Sequence, residues 1–441
     1  MSEAESTGDP VEVMADIGEA EAEEVEGEME AVDQIEGDTA DVQEDVAKLA
    51  GATESLEGCV AILDAAAQRG GLDVFASSFL RNNVGTVTRS LKLKPLLLPA
   101  LEDMETPSAK IAGANNAKDQ IVAFINRIID TIKQGFDRLS TWIIETYKRL
   151  TNAFVAIERR AEKLKERISA ATMKEGELDN AKLAGAMLVY GEASTGLDVA
   201  TTVKDMGELA KFMNDPKSYK DYLTALDLCE ELVKSPEKED EIRGKISQTL
   251  KSFSSGFSNH AVNISRALVK TADKTEDGST STFALGLFGN QEVRITLPTS
   301  ADGIRSLRAT VQAANEVSGA NKKVTAADQK AALKICEQVA ATAKVAREAA
   351  EANKGGVKEL IEEIKKRKDI VMGQAKVAAD AEDGAADRLR KVMAYVSGFF
   401  ASTPGLPVHG INRALPRNLG IALDYVAASI AGAAPAEGAA A

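Results

Sequence analysis

Apolar residues step mostly by three and four from Asp119 to about Ile168: Ile125, Ile128, Ile132, Phe136, Leu139, Ile143, Tyr147, Leu150, Phe154, Ile157, Leu164 and Ile168. Charged residues fill the other positions. This period puts the apolar set on one face of a helix, which spans about 75 Å at 1.5 Å per residue if unbroken. Gly135 and Thr151 are candidate bends. A seam of this length predicts pairing with another helix in a long bundle, coiled-coil fashion.

The rest of the chain patterns more briefly. Leu49, Leu56, Val60 and Leu63 give residues 48–68 helical spacing. Residues 72–95 read as one or two short helices ending in the basic–apolar stretch Arg89 to Pro95, and a small-residue link covers Glu102 to Asn116. Several medium helices follow over 180–272, broken at Asn214-Asp215-Pro216 and Ser235-Pro236. There the period changes to two. Phe283, Leu285 and Leu287 alternate, as do Val293, Ile295 and Leu297, with Gly289-Asn290 between them, which predicts a β-hairpin near 282–297. Helices are expected to resume at Ala301. Thr325-x-x-Asp328 resembles a capping box opening an alanine-rich helix to about Asn353. Gly355-Gly356 ends it, and helices near 357–371 and 374–399 follow. Residues 401–441 read as a Pro/Gly/Ala-rich tail with one amphipathic helix, Pro416 to Ile430.

Composition agrees with packed helices: 44% of the 441 residues are hydrophobic but only 4% aromatic, and alanine is abundant. Charge divides the chain more sharply than hydropathy does. Eighteen acids precede the first base, Lys48; through Glu57 the count is 20 acids to one base, a net of −19. Subtracting this from the chain's −15 leaves about +4 on residues 58–441. Like charges at that density bury little, so the leader is expected to be disordered. The predicted fold class is mainly α: an elongated helical bundle with one long amphipathic helix, a small β-hairpin and a disordered acidic N-terminus. The expected divisions are a leader over 1–57, a short helical region over 58–102, a helical body over 103–400 and the tail over 401–441.

Candidate chemistry is sparse. Cys59, Cys229 and Cys336 form no C-x-x-C pair, and neither His260 nor His409 has ligand-type neighbours at metal spacing. The phosphate-cradling glycine motifs are absent from the sequence. No catalytic, cofactor-binding or metal-binding residues are assigned, and no enzyme activity is expected. No apolar run reaches transmembrane length. Two basic clusters are candidates for weak, sequence-neutral contact with DNA phosphates: Arg159, Arg160, Lys163 and Lys165, and Lys365, Lys366, Arg367 and Lys368. Glu162, Glu166, Glu362 and Glu363 dilute them. An alternative is a membrane-active helical bundle resembling an α-helical pore-forming toxin, with Thr282 to Leu297 as its tongue.

The order of the parts carries a resemblance. The acidic leader is followed by a helical region ending in Leu98-Pro99-Ala100-Leu101-Glu102, then by the small-residue link and the long helix with Thr141-Trp142-Ile143-Ile144. The helix continues as Arg159-Arg-Ala-Glu-Lys-Leu-Lys-Glu-Arg167, and a Leu-x-Gly-Asn290 hairpin leads to Leu297-Pro298. Together these resemble the internal head, or inner-body, virion proteins of large contractile-tailed bacteriophages. The resemblance implies a precursor made in the host cytoplasm, packaged inside the capsid among other head or scaffold proteins, and cut by the phage prohead protease. Cuts in that family follow glutamate, with a small or aliphatic residue two positions earlier. Ser55-Leu56-Glu57 and Ala100-Leu101-Glu102 fit, as do Ala52-Thr53-Glu54 and Ala22-Glu23-Glu24. Relatives often carry a further Ala-x-Glu before the long helix; Gly113 to Asp119 has none.

Overall fold

The computed structural model describes residues 20–34, 74–90, 107–178, 180–274, 278–303, 306–314, 323–351, 357–379 and 406–433. It also describes 48, 49, 52, 55, 56, 59, 62, 63, 66, 392 and 396. Helix dominates these residues, as the fold class predicts. Residues 20–34 form α1, and Val74–Ser90 forms α2.

Helix α3 is the long seam, Pro107–Ala170, 64 residues and thus about 96 Å at 1.5 Å per residue. It starts twelve residues before Asp119, inside the stretch expected to be a link. Proline suits the first helical position, where its missing N–H goes unused, and the alanines after it favour helix. The helix runs through Gly135 and Thr151, whose hydroxyl donates to the Tyr147 carbonyl (2.9 Å). Leu150, Phe154, Ile157 and Ile168 are fully buried, and Ala153, Ala156 and Ala161 let neighbouring helices approach closely.

Beyond α3, Ala171–Met173 (β1) and Glu177–Leu178 (β2) lead to α4 (Ala181–Ala186) and the small ribbon Leu188–Val189 (β3) with Glu192–Ala193 (β4). Helices α5 (Leu197–Asn214), α6 (Lys220–Lys234) and α7 (Glu239–Ile264) are separated at the two predicted proline breaks. Phe212, Tyr219, Tyr222, Phe253, Phe257 and Phe283 form one ring cluster between them, with adjacent centroids 4.7–6.2 Å apart.

The predicted hairpin is present as β6 (Thr280–Leu287) and β7 (Gln291–Pro298), turning through Gly289 and Asn290, both at positive φ (77° and 53°). It is the middle of a four-stranded antiparallel sheet, flanked by β5 (Val269–Lys274) and β8 (Arg308–Ala313). Strand β8 lies where helix was expected. Its alanines favour helix locally, but pairing with β7 supplies a ladder that overrides that preference. Leu285, Leu287, Val293, Ile295 and Leu297 are wholly buried, so a membrane tongue would have to leave the core.

Strand β9 (Val324–Thr325) pairs with β2, which leaves Asp328 rather than Thr325 to cap α8 (Gln329–Ala350); its carboxylate accepts the Ala331 N–H at 2.7 Å. Helix α8 lies antiparallel along α3: Gln329 reaches the Ile168 carbonyl, and Arg347 pairs with Glu158 at 2.6 Å. Helix α9 (Val357–Ala379) runs through Gly373, where a break was expected.

The largest departure is at the C-terminus. The tail's helix begins at Pro407, not Pro416, and runs to Ala428 as α10, carrying Pro416 in its interior. It is buried on nearly every side, between α3, α5, α8 and the β7–β8 edge of the sheet. The chain then forms β10 (Ile430–Ala433), antiparallel to β1. The less buried positions of α10, Arg413, Arg417, Gly420, Ile421 and Asp424, share one narrow face, the amphipathic stripe expected of the tail's helix. Its polar residues each tie down a different element. Asn412 and Asn214 of α5 exchange side-chain hydrogen bonds (2.8 and 2.9 Å), and Asn412 also donates to Tyr147 of α3. The Tyr147 hydroxyl meets His409 Nδ1 at 2.9 Å. Asn418 accepts the Phe288 N–H at the hairpin tip, Tyr425 bridges Gly196 to Thr325, and Ser429 accepts the Ala327 N–H.

Two outcomes follow from this packing. A Cβ at Gly410 would sit 2.6 Å from Ala309 Cβ and 3.1 Å from Val293 Cγ1, whereas Gly420 faces open space. Gly410→Ala should cost about 1–2 kcal/mol even after its propensity gain, and Gly420→Ala should add about 0.5–1 kcal/mol, read from urea midpoints. Burial also pushes the His409 imidazole down from 6.5 to about 4. The unfolded chain therefore takes the proton first: this stability is complete above about pH 6.5 and is lost as pH falls toward 4, on the order of 3 kcal/mol in all. His409→Gln should flatten that limb of the stability–pH curve relative to the parent chain.

Candidate nucleic-acid interface

Any phosphate-binding surface here must come from the lysines and arginines of α3 and α9, so their partners decide what each can do. The two groups are not one patch. Lys365 and Lys368 of α9 reach Asp137 of α3 at 3.6 and 3.1 Å, whereas the α3 cluster begins at Arg159, about 33 Å further along the helix at 1.5 Å per residue. The α9 cluster is largely structural. The Lys368 side chain is only 2% exposed and sits between Asp137 and Asp369. Arg367 spans to Asp227 of α6 at 2.7 Å and to Glu363 on its own helix. Lys366 points outward and is exposed.

The α3 cluster is engaged differently, because the acidic leader lies on it. Lys163 pairs with Glu21 (2.6 Å), and Arg159 takes both oxygens of Glu24 (3.0 and 3.2 Å). Glu28 accepts from Arg149 (3.3 Å) and Asn152 (3.0 Å). Asp33 pairs with Arg417 of α10 at 2.5 Å. As α1 ascends, its partners on α3 descend, so the two helices are antiparallel. Met29 and Val32 are buried on the same face of α1, while Glu23, Glu26 and Glu30 point to solvent. The expectation of a disordered leader thus fails for residues 20–34. The reason is tertiary: Glu21, Glu24 and Glu28 repeat at helical spacing and meet long cationic side chains of α3, which offsets part of the self-repulsion that argued for disorder. Two other members of the cluster are tied within the body: Arg160 to Asp424 (2.6 Å) and Lys165 to Glu162 (3.0 Å). Arg413 lies beneath, pushed down to about 10 by burial, with Asp33 opposing and Arg417 adding to the shift.

Of the candidate cleavage residues, Ser55 is helical and exposed. Its neighbour Leu56 is fully buried, in a run with Leu49, Ala52, Cys59 and Leu63. Glu57, Ala100 and Glu102 lie outside the described residues. Burial pushes the Cys59 thiol up to about 11 and Cys336 to about 12, and raises Cys229 as well, so these three thiols are poor nucleophiles. Among the described residues, no cluster of three His, Cys, Asp or Glu could hold a metal, and no helix is long and apolar enough to cross a membrane.

A family model described as phiKZ-like phage internal head proteins matches residues 18–428. The chain belongs to this family. The matched span opens just before α1 and closes on the last residue of α10, so it takes in both the leader helix and the buried C-terminal helix. Membership gives the internal head protein a structural role in the interior of a phage virion. No curated protein and no solved structure matches the chain.

Sequence reasoning found the bases of α3 and missed their partners, because pairs such as Arg159–Glu24 join residues far apart in the chain. The α9 ties generate a test. Arg367→Gln should cost about 1 kcal/mol of stability by releasing Asp227, while Lys366→Gln should stay within about 0.5 kcal/mol of the parent in denaturant titration.

Proposed function

We propose that this internal head protein is made as a precursor, enters the prohead with its acidic leader attached, and is cut by the prohead protease after Glu57 or Glu102. The observation that carries this reading is the charge division: −19 on residues 1–57 against about +4 on the remainder. Before packaging, the outward acids Glu23, Glu26 and Glu30 can meet basic surfaces of shell or scaffold proteins. Once DNA fills the head, a −19 segment is repelled by phosphates at short range. Cutting after Glu57 removes that repulsion. Cutting after Glu102 also removes five bases and three acids, which leaves about +2. Either product can lie against DNA through weak, sequence-neutral contacts and leave the head with it.

Cleavage after Glu57 has a structural requirement. Ser55 and Leu56 are helical and Leu56 is buried, so these two residues must open locally before a protease can hold them extended. The test is mass spectrometry of the N-terminus from purified virions. The expected mature chains begin at Gly58 or Asp103; an N-terminus at Met1 or Ser2 in mature particles would overturn the maturation reading.

A further inference from the structure

The leader's carboxylates occupy three bases of α3 and one of α10, with Arg159 Nη2 donating to both oxygens of Glu24, an acceptor pair that a phosphate also offers. We propose that α1 is a built-in phosphate mimic, which covers a duplex-DNA-binding face on α3 and α10 until the leader is removed. DNA as the occupant rests on the proposed contact with packaged DNA; the mask itself rests on geometry.

The cover is reversible by construction. Lys163, Arg159 and Arg149 side chains remain 45–50% exposed, so each pair is a weak, salt-screened contact. Met29 and Val32 add buried apolar surface to the same face. The intact chain keeps α1 beside its site, which makes docking an intramolecular event. A cut abolishes the tether, the fragment diffuses away, and the face is left with arginine and lysine groups at helical spacing. The uncovered surface has no aromatic stacking platform among its named bases, so the contact is with the backbone and indifferent to sequence.

The experiment uses the uncut, full-length chain, so its result is independent of whether or where the protease acts. Duplex DNA binding is measured against salt for the parent, for Glu21→Gln/Glu24→Gln/Glu28→Gln, and for the charge-matched control Glu23→Gln/Glu26→Gln/Glu30→Gln on the outward face. Releasing three bases should tighten binding at least tenfold at 50 mM salt and steepen the log–log salt slope by about 2.7, while the control stays near the parent. Adding Arg149→Gln/Arg159→Gln/Lys163→Gln to the docked-face variant should return the slope to the parent's. Equal effects from the two triple variants, or no effect from either, would overturn the mask. Equally tight binding of polyglutamate by the unmasked chain would overturn DNA as the occupant.

Discussion

A helix buried on nearly all sides must pair most of the polar groups it carries, and α10 is built around that constraint, with His409 Nε2 its one buried side-chain atom left without a partner among the described residues. Its Asn412, Asn418, Tyr425 and Ser429 bind groups on α3, α5, the hairpin tip, β9 and the start of α8. Elements far apart in sequence are thereby held to one strut. The cost of leaving any of these groups unpaired in the interior, about 1–3 kcal/mol each, makes their register specific where apolar packing alone would tolerate sliding. Helices α3 and α8 pack antiparallel to each other beside it, and the sheet seats against Gly410, where a side chain would intrude.

That arrangement gives the N-terminal half of the account its footing. Because α10 lies parallel to α3, as the Tyr147–His409 and Arg160–Asp424 contacts require, Arg417 stands on the same side as Arg149 and Arg159. The acidic leader finds a composite cationic face rather than a single helix. Charge that would otherwise unfold the leader is neutralised on the body, and bases that would otherwise attract phosphate are occupied. Under the proposed maturation the same surface would meet two very different environments, a protein-filled shell and a DNA-filled one. A cover held by weak pairs and a tether is suited to being present in the first and absent from the second.

Much of the fold is legible in the sequence where local pattern and tertiary packing agree. The α3 seam, the proline breaks around α6 and the hairpin at Gly289-Asn290 are such places. Legibility fails where packing overrides pattern. Strand β8 looks helical because its alanines say nothing of the neighbour that recruits it. Helix α10 looks like a tail with a short helix because Pro407, Gly410, Pro416 and Gly420 depress helix propensity over its first half. The leader is the opposite case: its net charge argues for disorder, while the spacing of Glu21, Glu24 and Glu28 carries the helix. No local rule reveals that their partners stand at Lys163, Arg159 and Arg149, although the excess of acid before Lys48 and the basic run of α3 both hint at a match.

Residues 20–34 belong to the folded body of the intact chain, and hydrogen exchange on the full-length protein can read this out. At low salt, peptides covering residues 20–34 should exchange well below free-chain rates, and the protection should fall as salt screens the pairs with α3 and α10, while α10 itself stays protected throughout. Free-chain exchange of residues 20–34 at low salt would mean that the leader is not docked on α3.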